Sequence, residues 1–260
     1  CHETYKDSKG KWISPDEVEK IEDGKFLKKV DKTKISVGPS ESMSKSKKNI
    51  IDPETMIKSY GADAVRWFIL SDSPPEKDVQ WSNQGVSASY KFLQKIWNLN
   101  SKILDRTNQE SSTNSEEKLK TEFNSYLFKI TNLINNFQLN VAVANIYEIY
   151  RLISSNLNEK ISNKCLKKIM VDFMKILIPF TPHLASESLE ILGEKKIDKW
   201  PELDEKLIQK KKVKIAIQIN GKTREIIEIE KDLLEDAAIE ESKKSKKVMR
   251  NLDNKKIFKT

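Results

Sequence analysis

Residues 42–66 read SMSKSKKNIIDPETMIKSYGADAVR and set the architecture of the chain on both sides. The first part alternates small hydroxyl residues with lysines, a composition that makes a poor helix and favours a flexible loop. Asp52-Pro53-Glu54 then predicts a helix start, because Asp can cap free N–H groups and Pro suits the first turn. Gly61 is expected to end that helix in a left-handed conformation. The stretch therefore predicts a lysine-bearing loop that leads directly into helices.

Downstream of this loop, apolar residues recur at helical spacing as far as Gly193. The second helix is expected to bury Val65, Phe68 and Ile69 and to stop at Pro74-Pro75. A longer helix from Ser82, a polar loop at 105–116 and four more helices then predict an antiparallel bundle with short connections. The predicted apolar positions of the bundle are Val86, Leu93, Ile96, Trp97, Ile103 and Leu104, then Phe123, Leu127, Ile130 and Ile134, then Val143, Ile146, Tyr150 and Ile153, then Ile161, Cys165, Ile169, Phe173 and Ile176.

Strand patterns occupy the two ends of the chain. Near the start, residues 11–13 and 34–37 are short β-like pieces in a turn-rich stretch that reads as the tail of a domain. Beyond the bundle, apolar and polar residues alternate on both sides of Asn220-Gly221, which is a strong hairpin signal. Residues 232–242 look helical. The sequence therefore predicts a small α/β unit after the bundle.

Composition limits the classes of protein to which the chain can belong. With 37% hydrophobic residues in 260, it can bury the cores of two or three domains. Its 47 Lys and Arg against 39 Asp and Glu give a net charge of +8, which suits a polyanionic partner or reflects solubility alone. No apolar run approaches the roughly 20 residues that span a bilayer, and the first residues do not resemble a signal peptide. Cys1 and Cys165 offer neither a disulfide framework nor metal-ligand spacing. A cytoplasmic protein without a bound metal is expected, and the absence of an initial Met suggests part of a longer one.

The chemistry of the loop points to phosphate. Flexible backbone N–H groups and ammonium ions together make a suitable cradle for phosphate oxygens. The segment Ser42, Met43, Ser44, Lys45 and Ser46 resembles the Lys-Met-Ser-Lys-Ser signature of class I aminoacyl-tRNA synthetases, with Ser42 where the family usually has Lys. The resemblance implies that these residues bind ATP and that Lys45 is catalytic, stabilising the triphosphate and the departing pyrophosphate. The alternative is a solvated Ser/Lys-rich loop with no ligand.

The residues after the loop extend this resemblance. Residues 51–54, 60–66 and 71–81 are similar to the helix that follows the signature loop in the leucine, isoleucine, valine and methionine synthetases. Residues 140–144 and 179–185 resemble bundle helices of the anticodon-binding domain in the same group. Their individual predictions are core packing for Trp67 and Trp81, a carboxylate partner for Arg66, a helix cap at Thr181 and a structural role for His183.

The two ends favour the leucyl-tRNA synthetases within this group. Residues 218–224 resemble the hairpin of their C-terminal domain, and residues 1–40 resemble the end of their leucine-specific insertion through Tyr5-Lys6-Asp7, Trp12 and Ser14-Pro15. By resemblance, Lys222 and Arg224 bind the tRNA backbone, adding affinity without reading sequence. A solvated hairpin tip is the alternative. Four further lysines are expected to bind likewise from a helix face: Lys243, Lys244, Lys246 and Lys247.

The predicted fold is mainly α, with the end of a Rossmann-type catalytic domain, an antiparallel helical bundle and a small α/β C-terminal domain. The resemblance implies a leucine–tRNA ligase that uses ATP with Mg²⁺, leucine and tRNA-Leu, with no membrane partner. The chain has no His-Ile-Gly-His motif, so it is expected to be inactive alone. The rivals are a valine, isoleucine or methionine synthetase, or a non-catalytic tRNA-binding protein derived from one.

The predicted domains are 1–41, the end of the insertion and catalytic domain; 42–84, the signature loop and stem-contact helices; 85–205, the bundle; and 206–260, part of the tRNA-binding α/β domain.

Overall fold

The computed structural model divides the chain into two compact units, Cys1–Leu207 and Ile208–Thr260. Each is described by itself below. No helix among the residues described here has the length and apolarity needed to cross a bilayer. The structure describes residues 1–21, 24–107, 110–195, 197, 199–207, 212–219, 222–230 and 235–252.

The first unit begins with a five-stranded antiparallel sheet in the order β2-β1-β5-β4-β3. Its small core consists of Tyr5, Ile13 and Ile35, against which Val18 and Phe26 pack. Both predicted strand pieces are present, but sequence alternation missed three further strands because each offers only one or two apolar positions. The strands are β1 His2–Lys6, β2 Trp12–Ile13, β3 Val18–Lys20, β4 Phe26–Lys28 and β5 Lys34–Glu41, with a 3-10 turn at Pro15–Glu17.

Three helices follow the loop, and their predicted boundaries hold. The Asp52 side chain caps the first helix by accepting from the N–H groups of Glu54 and Thr55, and Ser82 caps the third through Gly85. Gly61 has the positive φ expected of it, 81°, but its ψ of 155° is extended, so it separates two helices without closing the first in a left-handed turn. The helices are α1 Pro53–Tyr60, α2 Ala62–Asp72 and α3 Asn83–Leu104.

Four more helices complete the bundle around one apolar core. Helices α4 and α5 are connected by only three residues and pack on each other, as predicted for antiparallel neighbours. The core includes Ile96, Ile146 and Phe173, each with 0% exposure. The helices are α4 Thr113–Asn135, α5 Leu139–Ser155, α6 Asn163–Leu177 and α7 Pro182–Ile191.

Three predicted core positions of the helices are wrong, one in α2 and two in α3. Ile69, Trp97 and Leu104 are 43%, 37% and 38% exposed. Helix α2 instead buries Asp63, Ala64, Trp67 and Phe68, a face rotated by one residue from the predicted stripe. Apolar spacing predicts that a segment is helical. Which residues at the margins of its apolar face are buried depends on the neighbouring helix.

Close approach of α2 and α3 explains one glycine. A Cβ atom at Gly85 would lie 2.5 Å from Cε2 of Phe68, so only glycine fits without displacing that ring. Phe68 is itself buried and stacks edge-on with Trp81, with 5.4 Å between ring centroids.

The second unit contains the predicted hairpin. Its strands pair antiparallel from Lys212↔Glu230 to Ile219↔Lys222, and both contact the last helix. Asn220-Gly221, the predicted turn, lies outside the described residues, as do 231–234 at the start of the predicted helical segment 232–242. Ile229 and Val248 are buried here. The elements are β6 Lys212–Ile219, β7 Lys222–Glu230, α8 Glu235–Lys243 and α9 Lys246–Leu252.

Candidate functional site

The lysine-bearing loop, residues 42–49, leaves the end of a central strand of the sheet. Strand β5 ends at Glu41, which pairs with His2 of β1, and Asp52 caps the next helix three residues after the loop. The loop is therefore held between a strand end and a helix start, both of which are fixed by hydrogen bonds. The helix start was predicted from local rules, whereas the strand continues beyond the predicted 34–37 to Glu41, where it pairs with β1.

Asn49 closes the base of this loop. Its side chain is 0% exposed, and its Oδ1 accepts a 2.8 Å hydrogen bond from the Ser44 N–H. Its Nδ2 lies within hydrogen-bond distance of three carbonyl oxygens, those of Glu41 at 3.3 Å, Ser42 at 3.4 Å and His2 at 3.3 Å, which share its two hydrogens. One amide thus contacts the entry of the loop, its interior and the neighbouring strand.

Inside the loop the chain makes a tight turn. The Lys48 N–H donates to the Lys45 carbonyl at 3.3 Å, and Lys48 has a left-handed φ of 53°. The Ser44 hydroxyl lies 3.2 Å from that of Ser46 and accepts from the Lys47 N–H at 3.3 Å. Lys47 forms an ion pair with Glu41. The backbone of the loop is therefore organised without using the Lys45 side chain.

Lys45 is left available for a ligand. Its side chain is exposed, and within the described part of the chain it has no ion-pair or hydrogen-bond partner. Ser42, Met43 and Ser46 are also exposed, whereas Ser44 is half-buried. The structure brings the five predicted residues together on one short loop. A free ammonium beside hydroxyl groups is a suitable arrangement for binding phosphate oxygens.

The ionised carboxylate of Asp52 stabilises the start of α1, which follows the loop. The Thr55 hydroxyl donates to Asp52 Oδ2 at 2.6 Å, and the Glu54 and Thr55 N–H groups donate to the same carboxylate at 3.2 and 3.3 Å. The Thr55 hydroxyl, followed by these N–H groups, lowers the pKa of Asp52 below its ordinary value. Asp52 therefore remains ionised as a cap on the positive end of the α1 dipole.

Helix α2, which carries Arg66, forms hydrogen bonds to the start of α7 and the residues before it. Two predictions about these contacts are wrong. Thr181 occupies the predicted N-cap position of α7, but its hydroxyl makes no capping hydrogen bond within the described residues. The buried Asp63 caps α7 from α2, accepting from the Leu184 N–H at 2.7 Å and the His183 N–H at 3.4 Å. Arg66 pairs with no carboxylate of the described residues and instead donates to the carbonyls of Pro179 at 2.7 Å and Phe180 at 3.3 Å. Each of these hydrogen bonds joins residues more than 110 positions apart, so no local sequence pattern could indicate the cap by Asp63 or the carbonyl partners of Arg66.

Trp67, Trp81 and His183 have structural contacts. Trp67 is 0% exposed and donates from Nε1 to the Tyr147 hydroxyl at 3.1 Å, which confirms core packing. Trp81 is only half-buried, packs on Phe68 and donates to Asn83 at 2.8 Å. The His183 ring lies 3.0 Å from Asp63 while its side chain is 78% exposed.

In the second unit, Lys222 and Arg224 are both exposed on β7. The register passes from Ile217↔Glu225 to Gln218↔Thr223, so Arg224 is the extra residue of a β-bulge. Bulges redirect a side chain and are common next to functional sites. The predicted lysine face is partly neutralised, because Lys243 pairs with Glu240 and Lys244 with Glu241. The Lys246 side chain lies outside the described residues.

A separate surface cavity of about 490 Å³ lies between α1, α2, α3 and α7. Tyr60, Tyr90 and Trp97 line it together with Asp63 and Glu187. None of the predicted site residues borders it. Within the described ranges, no three His, Cys, Asp or Glu side chains come together as a metal site.

Sequence reasoning missed Asn49 and Asp63 as organising residues. Asn49 lies at the end of the lysine-rich run, where its polarity looks like that of a solvated loop. A small amide that follows a flexible loop and immediately precedes two isoleucines was the available signal. Asp63 gave none, since its partners come from a distant segment.

Two family models match the chain. Residues 35–82 match class I tRNA synthetases for isoleucine, leucine, methionine and valine, and residues 116–239 match the anticodon-binding domain of tRNA ligases. The first match contains the loop, and the second contains most of the bundle and the hairpin.

Curated relatives extend the similarity along nearly the whole chain. The leucine–tRNA ligase of Prochlorococcus marinus is 39% identical over 267 residues, covering 98% of this chain and 30% of the relative. That of Zymomonas mobilis is 33% identical over 257 residues, covering 98% and 29%. The chain therefore spans about 30% of the length of these relatives.

One solved structure shares the fold. It is the ternary complex of a LeuRS from Agrobacterium radiobacter with tRNA and LeuAMS. The superposition has a TM-score of 0.57 at 23% identity, and it covers 84% of this chain and 29% of that one.

Proposed function

We propose that this chain, which belongs to the class I tRNA synthetase family, supplies the ATP-phosphate loop and tRNA-binding domains of a leucine–tRNA ligase. The observation that carries the proposal is the exposed Lys45 side chain, which pairs with none of the residues that the structure describes, on a loop whose base is fixed by Asn49. The leucine–tRNA ligases that match 98% of the chain support leucine as the amino acid.

The reaction begins with leucine activation. The leucine carboxylate attacks the α-phosphorus of ATP, the bond to the β-phosphate bridging oxygen breaks, and leucyl adenylate and pyrophosphate form. Negative charge grows on the departing pyrophosphate, and an ammonium placed there lowers the barrier because it acts mainly in the transition state. Lys45 supplies that ammonium. The adenylate then passes its leucyl group to the terminal ribose of tRNA-Leu, releasing AMP.

Within the loop the roles are unequal. Ser42 stands where a lysine is usual, and Lys47 is paired with Glu41. Lys45 and Lys48 are both exposed, and Lys45 is assigned to the phosphate because it occupies the place of the second signature lysine. Exposed hydroxyls and backbone N–H groups at Ser42, Met43 and Ser46 fit the remaining phosphate oxygens. Mg²⁺ would arrive with the ATP phosphates and supply charge neutralisation there.

The remaining domains bind tRNA in this proposal. Residues 85–205 form the helical bundle, and residues 206–260 carry the hairpin with Lys222 and Arg224. Residues 1–41 and 42–84 belong to the catalytic domain with its insertion. A cytoplasmic location follows from the substrates.

The test is leucine-dependent ATP–pyrophosphate exchange by the full-length ligase that contains this chain. Lys45→Ala should reduce kcat about 100-fold or more, as expected for loss of a charge that acts in the transition state. Lys118→Ala, at an exposed lysine on α4, is the matched control and should leave exchange unchanged. An unaltered rate in Lys45→Ala would refute the mechanism. Parallel charging assays with valine, isoleucine and methionine test the rival specificities, and tRNA binding without any exchange would favour a non-catalytic protein.

A further inference from the structure

We propose that Asn49 is the positioning residue of the signature loop, whose buried amide fixes the place of the Lys45 ammonium during leucine activation. The inference rests on the proposed function and adds a residue that acts through Lys45. It concerns the geometry of the loop and assigns Asn49 no contact with ATP.

Because the Asn49 amide is buried, it needs hydrogen-bond partners within the protein. With 0% exposure it has no access to water, and a buried amide without partners costs free energy. All of its hydrogen-bonding atoms find partners, Oδ1 with one N–H and Nδ2 with three carbonyls. A side chain satisfied in this way has one orientation and can impose it on the backbone that it contacts.

The partners of Asn49 precede Lys45 in the chain, whereas Asn49 itself follows it. Glu41 and Ser42 form the entry of the loop, and Ser44, whose N–H is held at 2.8 Å, directly precedes Lys45. Asn49 itself is the exit. Removing the amide therefore releases entry and exit together and frees the peptide unit next to the lysine.

The fourth partner ties the loop to the sheet. The His2 carbonyl accepts from Asn49 at 3.3 Å, and His2 pairs with Glu41 in the β1–β5 ladder. A hydrogen bond to a strand fixes the position of the loop relative to the sheet, whereas hydrogen bonds within the loop fix only its internal conformation. Asn49 thus places the loop relative to the rest of the catalytic unit.

The ion pair between Glu41 and Lys47 also restrains the loop, but it contributes less than the buried amide of Asn49. The Glu41–Lys47 ion pair has side chains 34% and 39% exposed, and ion pairs with this much solvent contribute little. No described side chain holds Lys45 directly. Its position follows from the backbone, and the buried amide is what sets the backbone.

A double-mutant cycle in the full-length ligase separates positioning from folding. Asn49→Ala should lower kcat for leucine-dependent exchange about 30-fold, since small displacements of a catalytic group cost one to two orders of magnitude. The KM for leucine should stay within about 2-fold, because the loop contacts phosphate and not the amino acid. In the Lys45→Ala background the same change should cost less than about 3-fold, because the group it positions is gone. Asn135→Ala, at an exposed asparagine of α4, is the matched control.

Two further measurements make a folding defect visible. Transfer of leucine to tRNA from supplied leucyl adenylate should match the parent in Asn49→Ala. The melting temperature should fall, because buried groups lose their partner, but stay above the assay temperature. Asn49→Asp is the second variant: it keeps an acceptor for the Ser44 N–H but sets a carboxylate against three carbonyls, so it should also lose exchange.

The outcomes are distinct for the two proposals. Equal costs of Asn49→Ala with and without Lys45, an exchange rate within about 3-fold of the parent, or parallel loss of activation and transfer in both Asn49 variants overturns the positioning role. Failure of Lys45→Ala to slow exchange overturns the proposed function itself.

Discussion

The Asp63 carboxylate on α2 accepts a 2.7 Å hydrogen bond from the backbone N–H of Leu184 in the first turn of α7, across 121 positions of the chain. Together with the His183 contacts, this makes Asp63 the cap of a helix to which it does not belong. Helix α2 is separated from the signature loop by α1, Pro53–Tyr60, so the cap joins the second helix after the loop to the last helix of the bundle.

Replacing Asp63 should destabilise the first unit. Asp63→Ala leaves N–H groups at the start of α7 without an acceptor, and a loss of about 1–3 kcal/mol in the free energy of unfolding is expected. Asp63→Asn retains one carbonyl acceptor and should lose less. Urea denaturation followed by circular dichroism measures both. Glu76→Ala, at an exposed carboxylate, serves as the control, and equal stability of Asp63→Ala and this control would contradict the interhelical cap.

Acid should weaken the capped start of α1. The pKa of Asp52 is lowered in the folded state by the Thr55 hydroxyl and the N–H groups of Glu54 and Thr55. A depressed folded pKa adds stability that is fully present above the unfolded value of about 3.9 and is lost as pH falls through the folded pKa.

Asp52→Ala should therefore reduce the loss of stability between neutral pH and strong acid. Thermal melts of parent and variant across that range measure the difference, which should shrink below about pH 4. A stability gap that remains constant with pH would show that the Asp52 charge does not contribute.

The bulge residue and its neighbour should contribute affinity for RNA. If Lys222 and Arg224 neutralise two phosphates, the double replacement by alanine should weaken tRNA-Leu binding by the 260-residue chain. It should also lower the slope of log affinity against log salt by about 1.8, because each phosphate contact on duplex nucleic acid contributes about 0.9.

Electrophoretic mobility shift at several salt concentrations provides this measurement. Lys244→Ala is the control, since Lys244 is paired with Glu241 in the structure. If the double variant binds as tightly as the parent, with the same salt slope, the two residues belong to a solvated hairpin tip.

The 260 residues alone should not activate leucine. The sequence contains no His-Ile-Gly-His motif, and the chain matches about 30% of the length of its relatives. We expect no leucine-dependent exchange above background under conditions in which the full-length ligase is active. Measurable exchange by the isolated chain would mean that it holds a complete nucleotide site.

Prediction from sequence succeeded where the determinants were local. Asp52 and Ser82 cap the helices that they were expected to start, and β6 and β7 pair across the predicted hairpin. It failed for Ile69 and Trp97, whose exposure depends on where α3 and the other helices come to lie. It also failed at Thr181, because a carboxylate from α2 satisfies the N–H groups that a local hydroxyl was expected to cap.

The amino-acid sequence by itself determined the lysine-bearing loop, the positions of most helices and the likeness to leucine–tRNA ligases. These depend on residue type and on spacing along the chain, which short-range sterics and hydrogen bonding translate directly into local structure. Only the tertiary structure decided that Asn49 is buried against His2, that Arg66 binds carbonyls of the α6–α7 turn and that the Lys45 side chain has no partner among the described residues. Such contacts join residues up to about 120 positions apart, and whether a polar side chain is buried depends on which distant backbone groups reach it.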